Sequence, residues 1–153
     1  MPAGTTSNYF NSRPALLQAA LELHVELDTP PEATLAGIAD LKLTDSEAVD
    51  LMMATMGRLM ADENLGLLKA RYELVLEASR SEDLHGNFEP ARERFVGLAE
   101  ALLKARGCLK QREHAAQLVA VMDGALMDRL IDASTRLDRD SLRELLARQL
   151  ETC

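Results

Sequence analysis

The chain has 153 residues, enough for one domain of ordinary size that buries roughly two-thirds of its surface. Its composition, 47% hydrophobic and 27% charged, excludes collagen-like and strongly disordered proteins. The net charge of -8 at pH 7 repels polyanions, which disfavours a general nucleic-acid-binding protein. Aromatic residues make up only 3% of the chain, and Leu, Ala and 7 Met supply the apolar side chains instead, which favours helix over strand.

The residues that carry most enzymatic and metal chemistry are scattered. Cys108 and Cys153 are far apart, so their spacing fits neither a disulfide framework nor a metal site, and a reducing cytoplasm suits them best. His24, His85 and His114 do not lie at metal-ligand spacing, and no phosphate-binding glycine loop or nucleophile motif is present. We therefore expect a protein that is not an enzyme and has no cofactor and no metal. No leader-like apolar segment or membrane span is expected either, because the apolar runs are only a few residues long.

Helical periodicity begins near Pro14 and continues with short interruptions to Glu151, without any strand pattern. Ser12 is the expected N-cap of the first helix. Thr44 and Glu47 have the spacing of a capping box, which predicts a further helix start. The helices predicted in chain order are 14–27, 32–41, 44–61, 65–80, 90–106, 111–133 and 141–151.

Three central helices each turn an apolar arc to one side, which predicts an apolar ligand pocket, although ordinary core packing is the alternative for the methionine-rich arc. Arg71 lies in the middle of an apolar face, so its guanidinium needs either an acidic partner on a neighbouring helix or the polar end of a ligand in a cavity. Arg92 lies at the edge of its apolar face and is expected to be exposed. The ligand should be hydrophobic with an anionic or carbonyl group. The candidate pocket residues are Met52, Met56, Met60, Arg71, Tyr72, Val75, Phe88 and Phe95.

The last two helices carry more apolar residues than one core needs, which predicts a homodimer joined by a two-fold, four-helix interface. The alternative is that both faces are covered within one chain. Gly124 costs its helix about 1 kcal/mol relative to alanine, which is tolerable where another helix approaches closely. The candidate interface residues are Ala120, Gly124, Met127, Ile131, Leu142, Leu145, Leu146 and Leu150.

The segment Tyr9-Phe10-Asn11-Ser12-Arg13, followed by the apolar pair Leu16-Leu17, resembles the end of the DNA-binding domain of TetR-family transcriptional regulators. In that family a Tyr-Phe pair ends the recognition helix, and a basic residue and an apolar pair open the next helix. More weakly, residues 70–80 look like the central helix of the regulatory domain and residues 118–130 like its first dimerisation helix. The resemblance implies an all-α fold, a multi-helix orthogonal bundle of the TetR C-terminal type. In such a fold the middle helices enclose an effector cavity and the two terminal helices dimerise.

The match to the DNA-binding domain is incomplete, because only three residues precede Gly4 and the first two helices of a helix-turn-helix are missing. We expect a truncated chain in which residues 1–12 are a remnant of that domain and residues 13–153 form the effector-binding and dimerisation domain. The expected function is that of a ligand-responsive transcriptional regulator with a small hydrophobic effector, and operator DNA is a partner only of an intact, longer protein. The alternative is a DNA-independent helical homodimer that serves as a small-molecule-binding or protein-interaction module. The residues of the DNA-binding remnant are Thr5, Thr6, Ser7, Asn8, Tyr9 and Arg13.

Overall fold

The computed structural model describes residues 9–80, 82–131, 137–151 and 153, with the backbone alone for residues 82–87. These residues form α-helices and one short 3₁₀ turn, Asp62–Asn64, and contain no strand, so the all-α prediction is confirmed. No helix within them is long and apolar enough to cross a membrane. The helices are α1 Arg13–Asp28, α2 Glu32–Ala39, α3 Asp45–Leu59, α4 Leu65–Ala78, α5 Glu82–Arg106, α6 Gln111–Asp128 and α7 Arg139–Glu151.

Both predicted N-caps are confirmed. The backbone N–H of Ala15 donates to Ser12 Oγ at 3.3 Å at the start of α1. At the start of α3, the N–H of Glu47 donates to Thr44 Oγ1 at 3.3 Å, while the N–H of Thr44 donates to Glu47 Oε2 at 2.8 Å. These reciprocal bonds satisfy donors that a helix start leaves unpaired. They also hold the pKa of the Glu47 carboxyl below its ordinary value.

Two predicted helix limits are wrong, whereas the others agree within two residues. Helix α5 begins at Glu82 and runs through Pro90, where a helix start was predicted. Proline removes a helical hydrogen bond, but Phe88 and Ala91 pack on the apolar face of α1, and this burial supports helical backbone on both sides of Pro90. Helix α6 ends at Asp128, short of the predicted 133, because the N–H groups of Leu130 and Ile131 bond three residues back, to Met127 O and Asp128 O, instead of four.

The main core lies where α3, α5, α6 and α7 meet, and a smaller apolar cluster joins α1 to α5. Helix α7 packs on α3 and α6 within the same chain. Three leucines of the predicted dimer interface, Leu142, Leu146 and Leu150, are consequently buried in this core, with exposures of 6%, 0% and 1%. Burying each of them stabilises the fold by about 1.5 to 3 kcal/mol, so their apolar character is explained by the single chain.

Cys108 and Cys153 form a disulfide, which corrects the prediction of unrelated thiols. They are separated by 45 residues, yet their Cα atoms lie 5.0 Å apart. Gly107, with φ +91°, makes the close turn between α5 and α6 possible. There its N–H donates to Lys104 O and that of Cys108 to Leu103 O, both at 2.9 Å, which is a Schellman ending of α5. This turn lies beside the end of α7, a proximity that spacing along the chain does not reveal.

The capping box predicts a measurable contribution from Thr44. Replacing it with alanine (Thr44→Ala) should lower the free energy of unfolding by about 1 kcal/mol, since the donor at the N-terminus of α3 loses its acceptor. Urea denaturation measures the change. Ser46→Ala, in the same exposed first turn, is the matched control and should stay within about 0.5 kcal/mol of the unaltered chain. An equal loss in both variants would contradict a specific cap.

Candidate functional site

Two cavities, each partly open to solvent, lie side by side and share one wall. The larger, about 200 Å³, is bordered mainly by α3, α5 and α6, and the smaller, about 160 Å³, by α1, α4 and α5. Both are lined by Arg71, Phe95, Val119 and Asp123, and we call these four residues the partition. The partition therefore joins α4, α5 and α6 at the point where the two spaces meet.

The walls away from the partition are predominantly apolar. The larger cavity is bordered by Leu51, Met52, Leu59, Leu98, Ala99, Leu102, Leu118, Met122 and Leu126, with Thr55, Arg58 and Asp28 as polar neighbours. The smaller cavity is bordered by Leu21, Val25, Val75, Phe88 and Ala91, with His24, Tyr72 and Arg92 as polar neighbours. Largely apolar walls with a few polar groups at one place are typical of sites for small organic molecules.

The predicted pocket residues are distributed over the two cavities. Met52 lines the larger one, Arg71 and Phe95 line both, and Met56 and Met60 line neither. Met56 is fully buried in the main core, and Met60 is half-buried against it. The smaller cavity holds the remaining three predicted residues, Tyr72, Val75 and Phe88.

Arg71 is the buried cation of this site, with only 10% of its side chain exposed. Its Nη2 donates to Asp123 Oδ1 at 2.8 Å, and its Nη1 lies 3.7 Å from Asp28 Oδ2. The guanidinium also sits over the Phe95 ring, 4.5 Å from the centroid, within the range of a cation–π interaction. Two alternatives were predicted for Arg71: an acidic partner on a neighbouring helix, or a position in a ligand cavity. The acidic partner is present, and Arg71 also lines both cavities.

Asp123 binds neighbours through both its side chain and its backbone. Its backbone oxygen accepts a hydrogen bond from the Tyr72 hydroxyl at 2.7 Å, and its carboxylate lies 3.6 Å from Arg92 Nη1. Arg92 is 46% exposed, as predicted. Burial raises the pKa of Asp123, against the opposing effect of Arg71 and Arg92. Burial also raises the pKa of Tyr72 to about 12, so this hydroxyl remains protonated and donates at neutral pH.

His24 and Asp28 extend the polar group to α1. Both are buried, and His24 Nε2 lies 3.1 Å from Asp28 Oδ2 without the geometry of a hydrogen bond. Burial lowers the pKa of His24, and the nearby Arg71 cation lowers it further while Asp28 opposes them. At neutral pH the imidazole is therefore uncharged. The His24 side chain lines the smaller cavity, and its buried Nε2 has no hydrogen-bond partner among the described residues.

Sequence reasoning missed His24, Asp28 and Asp123. Each of these polar residues occupies a position on an apolar helical face: His24 and Asp28 lie one turn apart beside Leu21 and Val25. The signal that singled out Arg71, a charge within an apolar face, was present at these positions too. Matching the carboxylates to the guanidinium required the three-dimensional arrangement.

The candidate interface residues on α6 and in the turn directly after it lie on the surface. Ala120 and Gly124 are exposed, as are 40% of Met127 and 56% of Ile131. A Cβ built on Gly124 meets no atom within 4 Å, so packing within the chain does not require glycine there. We call these four residues the α6 strip. On α7, only Leu145 among the candidate leucines retains partial exposure.

The candidate DNA-binding residues are described only in part. Thr5, Thr6, Ser7 and Asn8 lie outside the described residues. Tyr9 is 78% exposed and precedes α1. Arg13 forms an ion pair with Glu77 of α4 at 2.8 Å, and 72% of its side chain remains exposed.

The lowered pKa of His24 predicts that acidification weakens the fold. In the unfolded chain this imidazole is protonated below about pH 6.5, whereas in the folded chain it becomes protonated only at a lower pH. The unfolded state therefore binds more protons in this range. As a result, the free energy of unfolding falls as the pH is lowered from about 7 to 5. Urea denaturation across this range measures the slope. His24→Gln, which cannot titrate, should flatten it, and an unchanged slope would contradict the assignment. The raised pKa of Asp123 acts in the opposite direction, since the folded state then holds its proton at higher pH than the unfolded state.

Comparison with known protein families adds one finding. The family model described as the tetracyclin repressor-like, C-terminal domain matches residues 43–152. No curated protein and no solved structure matches the chain significantly. The matched range begins just before α3 and includes all four partition residues, whereas α1 and α2 precede it. Because the match spans more than half of the chain, the predicted resemblance is confirmed: this protein belongs to the tetracyclin repressor-like C-terminal domain family, the regulatory domains of TetR-type regulators.

Proposed function

We propose that the described part of the chain is the effector-binding and dimerisation domain of a ligand-responsive transcriptional regulator. The observation that carries this proposal is the pair of mainly apolar cavities that meet at the buried Arg71 guanidinium. A small hydrophobic effector occupies the cavities, and its polar end faces the partition. The protein acts in the cytoplasm without a catalytic step.

The polar end of the effector is an anionic or carbonyl group. Arg71 has several N–H donors, of which one bonds to Asp123 at 2.8 Å, while the 3.7 Å separation from Asp28 is longer than a hydrogen bond. A ligand oxygen can accept one of the other donors while the pair with Asp123 stays intact. His24, which also lines the smaller cavity, is proposed as a second polar contact.

The partition also couples the effector to α6. Arg71 on α4 forms its shortest ion pair with Asp123 on α6, at 2.8 Å between Nη2 and Oδ1. A ligand that draws the guanidinium toward itself changes this contact and thereby the position of α6, whose adjacent exposed surface carries the α6 strip. In regulators such a coupling between two sites amounts to about 1 to 3 kcal/mol.

The α6 strip is proposed as the centre of the homodimer interface. Its exposed Met127 and Ile131 offer apolar surface, and Gly124 between them and Ala120 allows close approach of a partner helix. Because most candidate leucines of α7 are buried in the core of one chain, α6 contributes the larger share of the proposed dimer interface. Operator DNA remains a proposed partner of an intact, longer protein.

Replacing Arg71 with methionine (Arg71→Met) tests the polar contact. We expect the anionic dye anilinonaphthalene sulfonate to bind the unaltered chain more tightly than its neutral analogue phenylnaphthylamine, and Arg71→Met to remove this preference. Loss of one charge-assisted hydrogen bond, about 1.5 to 3 kcal/mol, corresponds to roughly tenfold to hundredfold weaker anion binding. Fluorescence titration measures both dyes.

Controls for this experiment separate binding from folding. Arg94→Met changes an exposed arginine of α5 and should leave both affinities unchanged. Arg71→Lys retains the charge that Asp28 and Asp123 face and should recover part of the anion preference. If Arg71→Met unfolds by circular dichroism, or if the anionic dye is not preferred by the unaltered chain, Arg71 is structural and the proposed effector contact is wrong.

Replacing Gly124 with glutamate (Gly124→Glu) tests the dimer. The side chain meets open space in one chain, so the fold should tolerate it, but a second chain seated there would bury an unpaired charge. Sedimentation equilibrium at micromolar concentration should show a dimer of the unaltered 16.8 kDa chain and a monomer of the variant.

Gly57→Glu is the matched control, because Gly57 is also exposed within a helix and also has nothing near its added Cβ. It should remain a dimer. A monomeric unaltered chain, or equal dissociation of both variants, would exclude the α6 strip as the interface.

A further inference from the structure

Three metal-binding side chains converge where the turn after α5, the start of α6 and the end of α7 meet. They are Cys108 in the turn after α5, His114 in the first turns of α6 and Cys153 after α7. His114 Nδ1 lies 3.2 Å from Cys108 Sγ and 3.1 Å from Cys153 Sγ, and all the ligand atoms lie within 4.8 Å of one another. We call these residues the Cys–His cluster.

Each member of the cluster is held by ordered backbone. The Schellman ending of α5 places Cys108, which is 5% exposed. The N–H of His114 donates to Lys110 O at 3.1 Å, which holds the His114 backbone in the first turns of α6. The N–H of Cys153 donates to the backbone oxygen of the buried Leu150 at 3.1 Å. The cluster is therefore preorganised by three separate elements.

We propose that the reduced form of this cluster is a metal site that binds one Zn²⁺ per chain through two thiolates and the Nδ1 atom of His114. This set leaves a fourth position for water or another ligand. The proposal is independent of the effector site, which it neither uses nor requires.

The geometry requires only small movements. Tetrahedral Zn²⁺ with bonds of about 2.3 Å to sulfur and about 2.0 to 2.1 Å to nitrogen separates two sulfurs by about 3.8 Å and a sulfur from a nitrogen by about 3.6 Å. The present nitrogen-to-sulfur distances of 3.2 and 3.1 Å are about half an ångström shorter. Reduction frees the two sulfurs to separate, and the side chains of His114 and Cys153 are only half-buried.

The disulfide and the metal are alternative occupants of the same atoms. A dithiol reductant transfers two electrons and two protons to the disulfide, which yields two cysteine thiols and leaves the reductant as its own disulfide. Zn²⁺ then replaces the two thiol protons, which pass to solvent, while the neutral imidazole donates its lone pair. Either state connects the end of α7 to the turn between α5 and α6.

The position of the imidazole favours a metal site over a disulfide that is only structural. A disulfide needs no third group, and sulfur is a weak hydrogen-bond acceptor. Here a ring nitrogen lies at nearly equal distance from both sulfurs, as a third ligand of a shared ion would.

Metal titration of the full chain tests the proposal. After reduction with a phosphine, Co²⁺ should bind at one ion per chain and produce a thiolate-to-cobalt charge-transfer band together with the visible bands of tetrahedral cobalt, and Zn²⁺ should displace it. The oxidised chain should bind neither ion at this site. His114→Ala should weaken Zn²⁺ binding by at least about tenfold, whereas Glu113→Gln, an exposed neighbour on α6, should leave it unchanged.

A readout without substitution guards against variants that misfold. In the unaltered reduced chain, nuclear magnetic resonance of the His114 ring should show Zn²⁺ bound at Nδ1. The absence of a thiolate band, one metal per two chains, unchanged affinity in a folded His114→Ala, or equal binding by the oxidised chain would each overturn the proposal.

Discussion

The arrangement of the central helices depends on the neutralisation of one buried guanidinium. Removing a charged side chain from water costs several kcal/mol unless partners replace the lost hydration. Arg71 obtains those partners from three other helices: Asp123 on α6 at 2.8 Å, Asp28 on α1 at 3.7 Å, and the Phe95 ring on α5 at 4.5 Å. The position of α4 relative to these helices is thus constrained by electrostatics as well as by apolar packing.

The same constraint explains why open space remains beside the partition. Charged groups must meet at fixed distances, so neighbouring side chains cannot close around them as freely as in an apolar core. Aromatic residues, which could fill such space, are scarce in this chain. Flexible side chains such as Met52 and Met122 border the larger cavity instead. Effector binding is proposed at this place because the buried charge and the unfilled volume coincide there.

Helix α7 buries most of its leucine stripe within its own chain. By packing on α3 and α6 it completes the core of a single chain, and its end lies against the turn that carries Cys108. The interface proposed for a second chain is therefore centred on the α6 strip. Helix α6 accordingly connects the three regions of interest, since it contributes Asp123 to the partition, Gly124 to the surface and His114 to the Cys–His cluster.

Sequence by itself determined the features that depend on short-range chemistry. Periodicity specified the helical class, and Ser12 and Thr44 specified helix starts through bonds three residues away. The charge of Arg71 within an apolar face indicated that this residue needs a buried polar partner. The tertiary structure decided everything that depends on contacts between distant segments: the carboxylates that face Arg71, continuation of α5 through Pro90, burial of Leu146, and the meeting of Cys108 with Cys153. Periodicity indicates that a helical face is apolar but not which surface covers it, because burial against the same chain and burial against a second chain require the same residues.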